Sequence, residues 1–280
     1  KIQKEQRKGT SGGSSNCSQT EKDMLDLVCA NFDNVVVVYN GANTMELGFL
    51  NDYKQIKGAI WCPGTGQSGF ESLGAVVAGT VNPSGKTSDT FVYDLTATPT
   101  YNNFGNFLYD NMDEFAATSK NFGTGEEEAT IPSFVNYVEG IYVGYRFYET
   151  AAVEGLIDYD KTVQFPFGYG LTYGKVVVTD AVVSGNRAAD TNGTNISGKA
   201  GFESGTNTTA APVTIQATVT NQGTIDTRDV VQVYIKNADS SLAVPNPELA
   251  AFTPVFLKAG ETKTVTLSIA PKSFTVVDET

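Results

Sequence analysis

The sequence predicts an α/β domain, with a mostly parallel sheet covered by helices, followed by an antiparallel β-sandwich. Three observations carry that prediction. Between residues 18 and 81, stretches of helical periodicity alternate with short runs of β-branched residues. Past residue 173 the texture changes to β-branched and polar residues in alternation, with turns between them. The 280 residues, 40% of them hydrophobic, suffice for about two domains with cores of their own.

The first helix is predicted from Ser18. Ser18 with Glu21 three residues on fits a capping box, in which each satisfies an orphan amide of the first turn. Met24, Leu27 and Val28 then share one helical face, and Cys29 sits in the same apolar pattern as a core residue. Asn31–Asn34 ends that helix. Val35–Val38 follows as a continuous β-branched run, the pattern of a strand buried on both faces. A second strand is predicted at Gly58–Cys62. A glycine loop leads from it to a helix carrying Phe70, Leu73, Val77 and Ala78 at helical spacing. Helix, strand, strand, helix with buried strands indicates a parallel sheet under helices.

Asn82-Pro-Ser-Gly-Lys86 is turn chemistry, with proline second and glycine fourth. Residues 94–135 read as an irregular segment rich in Asn, Tyr and Phe, a length that points to a functional loop or an insertion. Two aromatic- and glycine-dense clusters, Tyr142–Tyr148 and Phe165–Tyr169, flank a short acidic insert and predict a packed hinge between the domains. Strands are then expected at Lys175–Val183, Val213–Thr220, Asp229–Lys236 and Thr262–Ile269. Residues 185–210 read as a long mobile loop. Sequons at Asn16, Asn192, Asn195 and Asn207 mark surface rather than glycosylation. The expected division is a polar N-terminal tail at 1–17, the α/β domain at 18–173 and the β-sandwich at 174–280.

Composition excludes several classes of function. Nineteen basic residues against 31 acidic ones leave a net charge of −12, which repels nucleic acid. No apolar run reaches the ~18–20 residues needed to span a bilayer. Histidine is absent, which removes Ser-His-Asp and Cys-His catalysis and the commonest zinc ligand. Cys17, Cys29 and Cys62 show no CxxC spacing, so neither a zinc site nor a disulfide framework follows. Any chemistry here falls to carboxylates.

Gly64, Gly66 and Gly69 spell GxGxxG between a strand and a helix, with Asp89 twenty residues on. That spacing fits a dinucleotide site, but a glycine turn that lets a helix pack close to its strand explains it better. Glu139 and Arg146 read either as a structural pair or cap, or as residues that orient a loop lining a substrate pocket. Tyr142, Tyr145, Phe147 and Tyr148 read as core at the junction, with stacking on a ligand ring as the other use. Asp110, Asp113 and Glu126–Glu128 read as a solvated acidic face.

The phrases YVGYRFYET (142–150) and FPFGYGLTY (165–173) resemble those that close the α/β sandwich domain of β-glucosidase-type glycoside hydrolase family 3 members. In that family they hand over to a fibronectin type III-like domain. VVVVYNGANTMELGFLNDY (35–53) is similar to the family's strand and loop with a buried aromatic near position 49. GAIWCPGTGQSGFESLGAVVAGTVNPSGKTSDTF (58–91) resembles its glycine turn, helix and exit, with Asn82, Pro83, Ser84, Gly85, Lys86 and Phe91 matching. Asn221-Gln-Gly223, Val231–Tyr234, Pro247–Leu249, Ala251-Phe252 and Ala259–Lys263 look like its terminal domain.

The resemblance implies the accessory half of a retaining, exo-acting β-glucosidase-like hydrolase that removes terminal non-reducing β-D-glucosyl residues without metal or organic cofactor. Its aspartate nucleophile lies on a (β/α)8 barrel that this chain lacks. The implied partner is therefore that barrel, in the same polypeptide or as another chain, with a β-glucoside or oligosaccharide as substrate. The family's acid/base glutamate precedes the first helix, which points to Glu5, although its neighbours KIQKEQRKGTSGG depart from the usual phrase. The resemblance also implies a sandwich that stops before its final strand. An extracellular or cell-envelope location is favoured over a cytoplasmic one. The alternative reading is a non-catalytic carbohydrate-binding or cell-surface module.

Overall fold

The computed structural model describes residues 17–101, 103, 107–111, 114–115, 117–130, 133–184, 212–236 and 246–274. Glu5, Asp113, the four sequon asparagines and the loop at 185–210 lie outside the described residues.

Helix α1 (Gln19–Asn31) begins with the expected capping box: Glu21 N–H donates to Ser18 Oγ at 3.3 Å, and Ser18 N–H donates to Glu21 Oε2 at 2.7 Å. The face it buries is carried by Leu25 and Cys29, while Met24 and Leu27 are exposed, contrary to the expected Met24/Leu27/Val28 face. Strands β1 (Val35–Tyr39) and β2 (Ile56–Trp61) pair in parallel, in register from Val36↔Gly58 to Tyr39↔Trp61. The expectation that β1 is buried on both faces fails: burial alternates, and Val36 and Val38 remain 47% and 40% exposed. No element among the described residues covers that face. Helix α2 (Phe70–Val77) also leaves Phe70 and Val77 in solvent.

After strand β3 (Phe91–Val92), the segment expected to be irregular carries short strands among its described residues. β4 (Phe107–Leu108), β5 (Ala117–Lys120), β6 (Glu127–Thr130) and β7 (Ser133–Phe134) form nested antiparallel pairs, β5 with β6 and β4 with β7. The hairpin escaped the sequence reading because it lacks apolar/polar alternation and turns through Asn121–Glu126 instead of a two-residue loop. Helix α3 (Tyr145–Val153) replaces what reads in sequence as an aromatic cluster, entered through Gly144 at φ 60°, where a side chain would be strained. After α4 (Tyr159–Thr162), strand β8 (Val163–Phe165) returns to pair with β3, Phe91 opposite Phe165. Val92, Tyr148 and Val163 form one buried cluster there, and Met45, Leu47 and Phe91 a second, against which Phe49 and Trp61 pack.

The C-terminal sandwich has strands β9 (Val176–Ser184), β10 (Val213–Asn221), β11 (Thr227–Ile235), β12 (Glu248–Leu257) and β13 (Thr262–Ile269), all antiparallel. One sheet runs β13-β10-β9 and the other pairs β11 with β12. They share a core of Ala217, Val219, Val231, Val255, Leu257 and Leu267. β12 carries Pro254 opposite Val230, which hides it from strand patterning. A proline is tolerated where its missing N–H faces away from the ladder, as at a sheet edge. Fully buried Asn221 pins the β10–β11 turn: its Nδ2 donates to Ile225 O at 2.8 Å and Lys258 O at 3.0 Å, and its Oδ1 accepts Gly223 N–H at 2.9 Å.

Candidate functional site

The two aromatic phrases and the Asn82–Lys86 turn meet against β11 and β12. Asn82 serves both sides of that seam. Its Oδ1 accepts from Thr172 Oγ1 and from Tyr173 N–H, each at 2.7 Å, while its Nδ2 donates to Thr227 Oγ1 at 2.6 Å. Lys86 Nζ lies 2.7 Å from Asp229 Oδ1 and donates to Gly170 O at 2.8 Å. Thr87 completes the zipper: its N–H donates to Tyr169 O at 2.7 Å, its carbonyl accepts Gly168 N–H at 2.8 Å, and its hydroxyl donates to Pro166 O at 2.6 Å.

Glycines occur where backbones approach too closely for a side chain. A Cβ on Gly170 would collide with the Gly85 carbonyl oxygen, and one on Gly168, at φ 77°, would strike Gln232. Gln232 Nε2 in turn donates to Gly168 O at 3.1 Å.

Helix α3 docks on β12. Arg146 Nη1 lies 2.8 Å from Glu248 Oε1, and Leu249 N–H donates to the Tyr145 hydroxyl at 2.9 Å. Asn246 Nδ2 donates to Thr150 Oγ1 at 3.0 Å. Tyr145 stacks on Phe167 with centroids 4.4 Å apart and meets Tyr234 edge-on at 6.5 Å. Behind this seam Phe91 sits edge-on to both Trp61 and Phe165, and Phe165 meets Tyr169. Rings so placed contribute dispersion and quadrupole attraction beyond their area.

The expected Glu139–Arg146 pair does not form. Arg146 turns to Glu248 on β12, and Glu139 contributes its backbone carbonyl to a turn, accepting Tyr142 N–H at 2.9 Å. Tyr148 is buried, whereas Tyr142 is exposed. Asp110 and Glu126–Glu128 lie on the β4–β7 arm, exposed to solvent. Gly69 has a geometric reason: a Cβ there would collide with the Thr65 carbonyl oxygen. Asp89 precedes β3, which pairs with β8 instead of extending the β1–β2 sheet, so it does not hold the position a ribose-binding carboxylate needs. Glu248 and Gln232 were missed in sequence, because polar residues at strand positions look like any solvent face.

Burial sets the electrostatics of the seam. The Tyr148 and Tyr234 hydroxyls are both pushed up to about 12, chiefly by desolvation. The Glu149 carboxyl on α3 is also raised by burial, and among the described residues it makes no hydrogen bond or ion pair. No group of three His, Cys, Asp or Glu side chains among the described residues is placed to hold a metal ion. Among the described residues no helix is long and apolar enough to cross a membrane. Two charge pairs, Lys86 with Asp229 and Arg146 with Glu248, cross the seam.

Residues 3–145 match the model of the glycosyl hydrolase family 3 C-terminal domain, and residues 229–280 that of a fibronectin type III-like domain. The chain is 33% identical over 251 residues to an exo-α-(1→6)-L-arabinopyranosidase of Bifidobacterium breve, covering 90% of this chain and 26% of that protein. It is 30% identical over 256 residues to thermostable β-glucosidase B of Acetivibrio thermocellus, covering 91% of this chain and 27% of that protein. Among solved structures, β-glucosidase 3B of Thermotoga neapolitana in complex with glucose superposes with a TM-score of 0.70 at 25% identity, covering 96% of this chain and 31% of that one. The family 3 β-glucosidase of Bifidobacterium adolescentis gives 0.66 at 27% identity, covering 94% and 31%. The chain thus spans about a quarter of the length of the curated relatives it matches.

Proposed function

The chain belongs to glycosyl hydrolase family 3, as a C-terminal domain of that family, and from that premise we propose that it supplies the accessory domains of a retaining, exo-acting β-glucosidase-like hydrolase. The observation that carries the reading is the coverage of its relatives. About 90% of this chain aligns with about a quarter of glycosidases whose remaining length has room for a separate catalytic domain.

In this reading the catalytic barrel, in the same polypeptide or as another chain, provides an ionised aspartate. That carboxylate attacks the anomeric carbon of a terminal β-D-glucosyl unit as the glycosidic C–O bond breaks. A protonated carboxylic acid, assigned here to Glu5, gives its proton to the leaving oxygen. The resulting glycosyl ester is then hydrolysed by water, which surrenders a proton to the same glutamate, now a base. Retention requires the two carboxyl groups about 5–5.5 Å apart. Arg146 and Glu139 act here as positioning residues: Arg146 holds α3 on β12, and the Glu139 turn presents residues 137–143.

The division near Tyr173 belongs to the same reading, with the α/β part ending there and the fibronectin-like part following. The uncovered apolar side chains of Val36, Val38, Leu27 and Phe70 support a longer assembly, because parallel sheets are covered on both faces in stable folds.

The test is hydrolysis by the longer polypeptide that carries this chain, comparing 4-nitrophenyl β-D-glucoside with 4-nitrophenyl α-L-arabinopyranoside. The first-formed anomer is followed by proton NMR. Preferred cleavage of the glucoside with β-glucose formed first is expected. Inversion, or turnover only on the arabinopyranoside, contradicts the reading.

A further inference from the structure

The described residues between 107 and 134 build a β-arm of two nested strand pairs, β4 with β7 and β5 with β6. Asn136 N–H donates to Asn103 O at 3.3 Å at its base, Phe107 stacks on Phe134 at 5.5 Å, and Tyr109 meets Phe134 at 4.8 Å. From there β5 and β6 run out with Ala117–Lys120 all exposed.

The tip is a built turn. Asn121 Oδ1 accepts from Gly123 N–H at 2.8 Å and Thr124 N–H at 3.3 Å, and Asn121 Nδ2 donates to Glu128 Oε1 at 2.8 Å. Asn121 N–H donates to Glu126 O at 2.9 Å, and Gly125 N–H returns to Asn121 O at 2.8 Å. Phe122 sits in the middle of this turn, fully exposed. Leaving such a ring in water forgoes the stabilisation that burial would supply.

The surroundings of the ring narrow what can cover it. One ring offers roughly 150–250 Å², against about 800 Å² per partner in a stable protein interface. The flanking Thr118, Ser119, Lys120 and Glu127 add no apolar rim. Glu126, Glu127 and Glu128 on the same hairpin, in a chain of net charge −12, make a second copy repel the first. A neutral ligand about one ring wide, with an apolar face and a polar edge, meets none of these obstacles. A pyranose has that form, its axial C–H groups facing the negative face of the aromatic quadrupole.

We propose that the arm is a carbohydrate-contacting element in which Phe122 stacks on a sugar unit of an oligosaccharide, beyond the unit being cleaved. This rests on the glycosidase reading above.

The test uses the longer polypeptide and its Phe122→Ala and Phe122→Trp variants, with cello- and laminari-oligosaccharides of two to five units and an aryl β-glucoside. Losing about 1–1.4 kcal/mol of stacking, Phe122→Ala is expected to raise KM for the longer sugars about five- to tenfold. Its kinetics on the aryl glucoside should stay at the parent value, and Phe122→Trp should restore the parent behaviour. Calorimetric titration with the tetrasaccharides, read independently of turnover, should show the same loss of affinity. Unchanged KM and affinity at every sugar length overturn the proposal. So does a dimer that becomes monomeric in Phe122→Ala without a change in sugar affinity. Absence of any hydrolysis alongside Phe122-dependent binding would instead count against the glycosidase reading alone.

Discussion

Lys86 Nζ lies 2.7 Å from Asp229 Oδ1, so the Asn82–Lys86 turn of the α/β part is ion-paired to a strand of the sandwich, with side-chain exposures of only 17% and 18%. The same ammonium donates to the Gly170 carbonyl between them. Breaking the pair by Lys86→Met strands a carboxylate in a partly dry seam. The cost should fall at about 1–3 kcal/mol, between the ranges for exposed and buried pairs. Urea denaturation checks it, and Lys86→Met with Asp229→Leu should recover much of the loss.

Arg146→Ala should destabilise the fold by about 0.5–1.5 kcal/mol, because its pair with Glu248 is more exposed than the Lys86 pair. The structure supplies the reason as an ion pair between α3 and β12. A double-mutant cycle with Glu248→Gln measures the coupling. Unchanged melting with lost turnover in the longer polypeptide would make Arg146 a substrate-facing group.

Asn221→Ala removes the amide that satisfies the Ile225 and Lys258 carbonyls and the Gly223 N–H. Leaving buried polar groups unpaired should cost about 2–3 kcal/mol. Thermal melting followed by near-UV circular dichroism reads the loss.

Glu149 gives a pH prediction. Its folded pKa is raised by burial, so its ionised form is the one folding disfavours. The penalty is absent below the ordinary carboxylate range, where both states are protonated. It grows as pH rises through that range to the raised folded value, and above that value it is fully present. Glu149→Gln should therefore stabilise the protein at neutral pH, with the gain fading as pH falls towards the ordinary carboxylate range. A pH series of urea midpoints for parent and variant checks this. A gain independent of pH would assign the effect to packing.

The parts legible in sequence were those with local signals. The Ser18/Glu21 box, the Val35 run, the Asn82–Lys86 turn and four of the five sandwich strands follow from capping, β-branching and turn chemistry. Strand β12 was hidden by Pro254, and the exposed face of β1 by assuming that this sheet is covered within the chain. The Arg146–Glu248 and Lys86–Asp229 pairs were illegible because each joins residues far apart in sequence, and nothing local marks one carboxylate out of 31 acidic residues. The aromatic phrases flagged a packed hinge, but not that Asn82, Thr87 and Gln232 fasten it.

The most direct test of the central claim is turnover of 4-nitrophenyl β-D-glucoside by the isolated 280-residue chain beside the longer assembly that includes the proposed barrel. In the proposed scheme the nucleophile lies on the catalytic barrel, so the isolated chain holds at most one of the two carboxyl groups of a retaining site. The account therefore predicts no hydrolysis above buffer from the isolated chain and retaining hydrolysis from the longer one. Turnover by the isolated chain, abolished by replacing one of its own carboxylates, would contradict it.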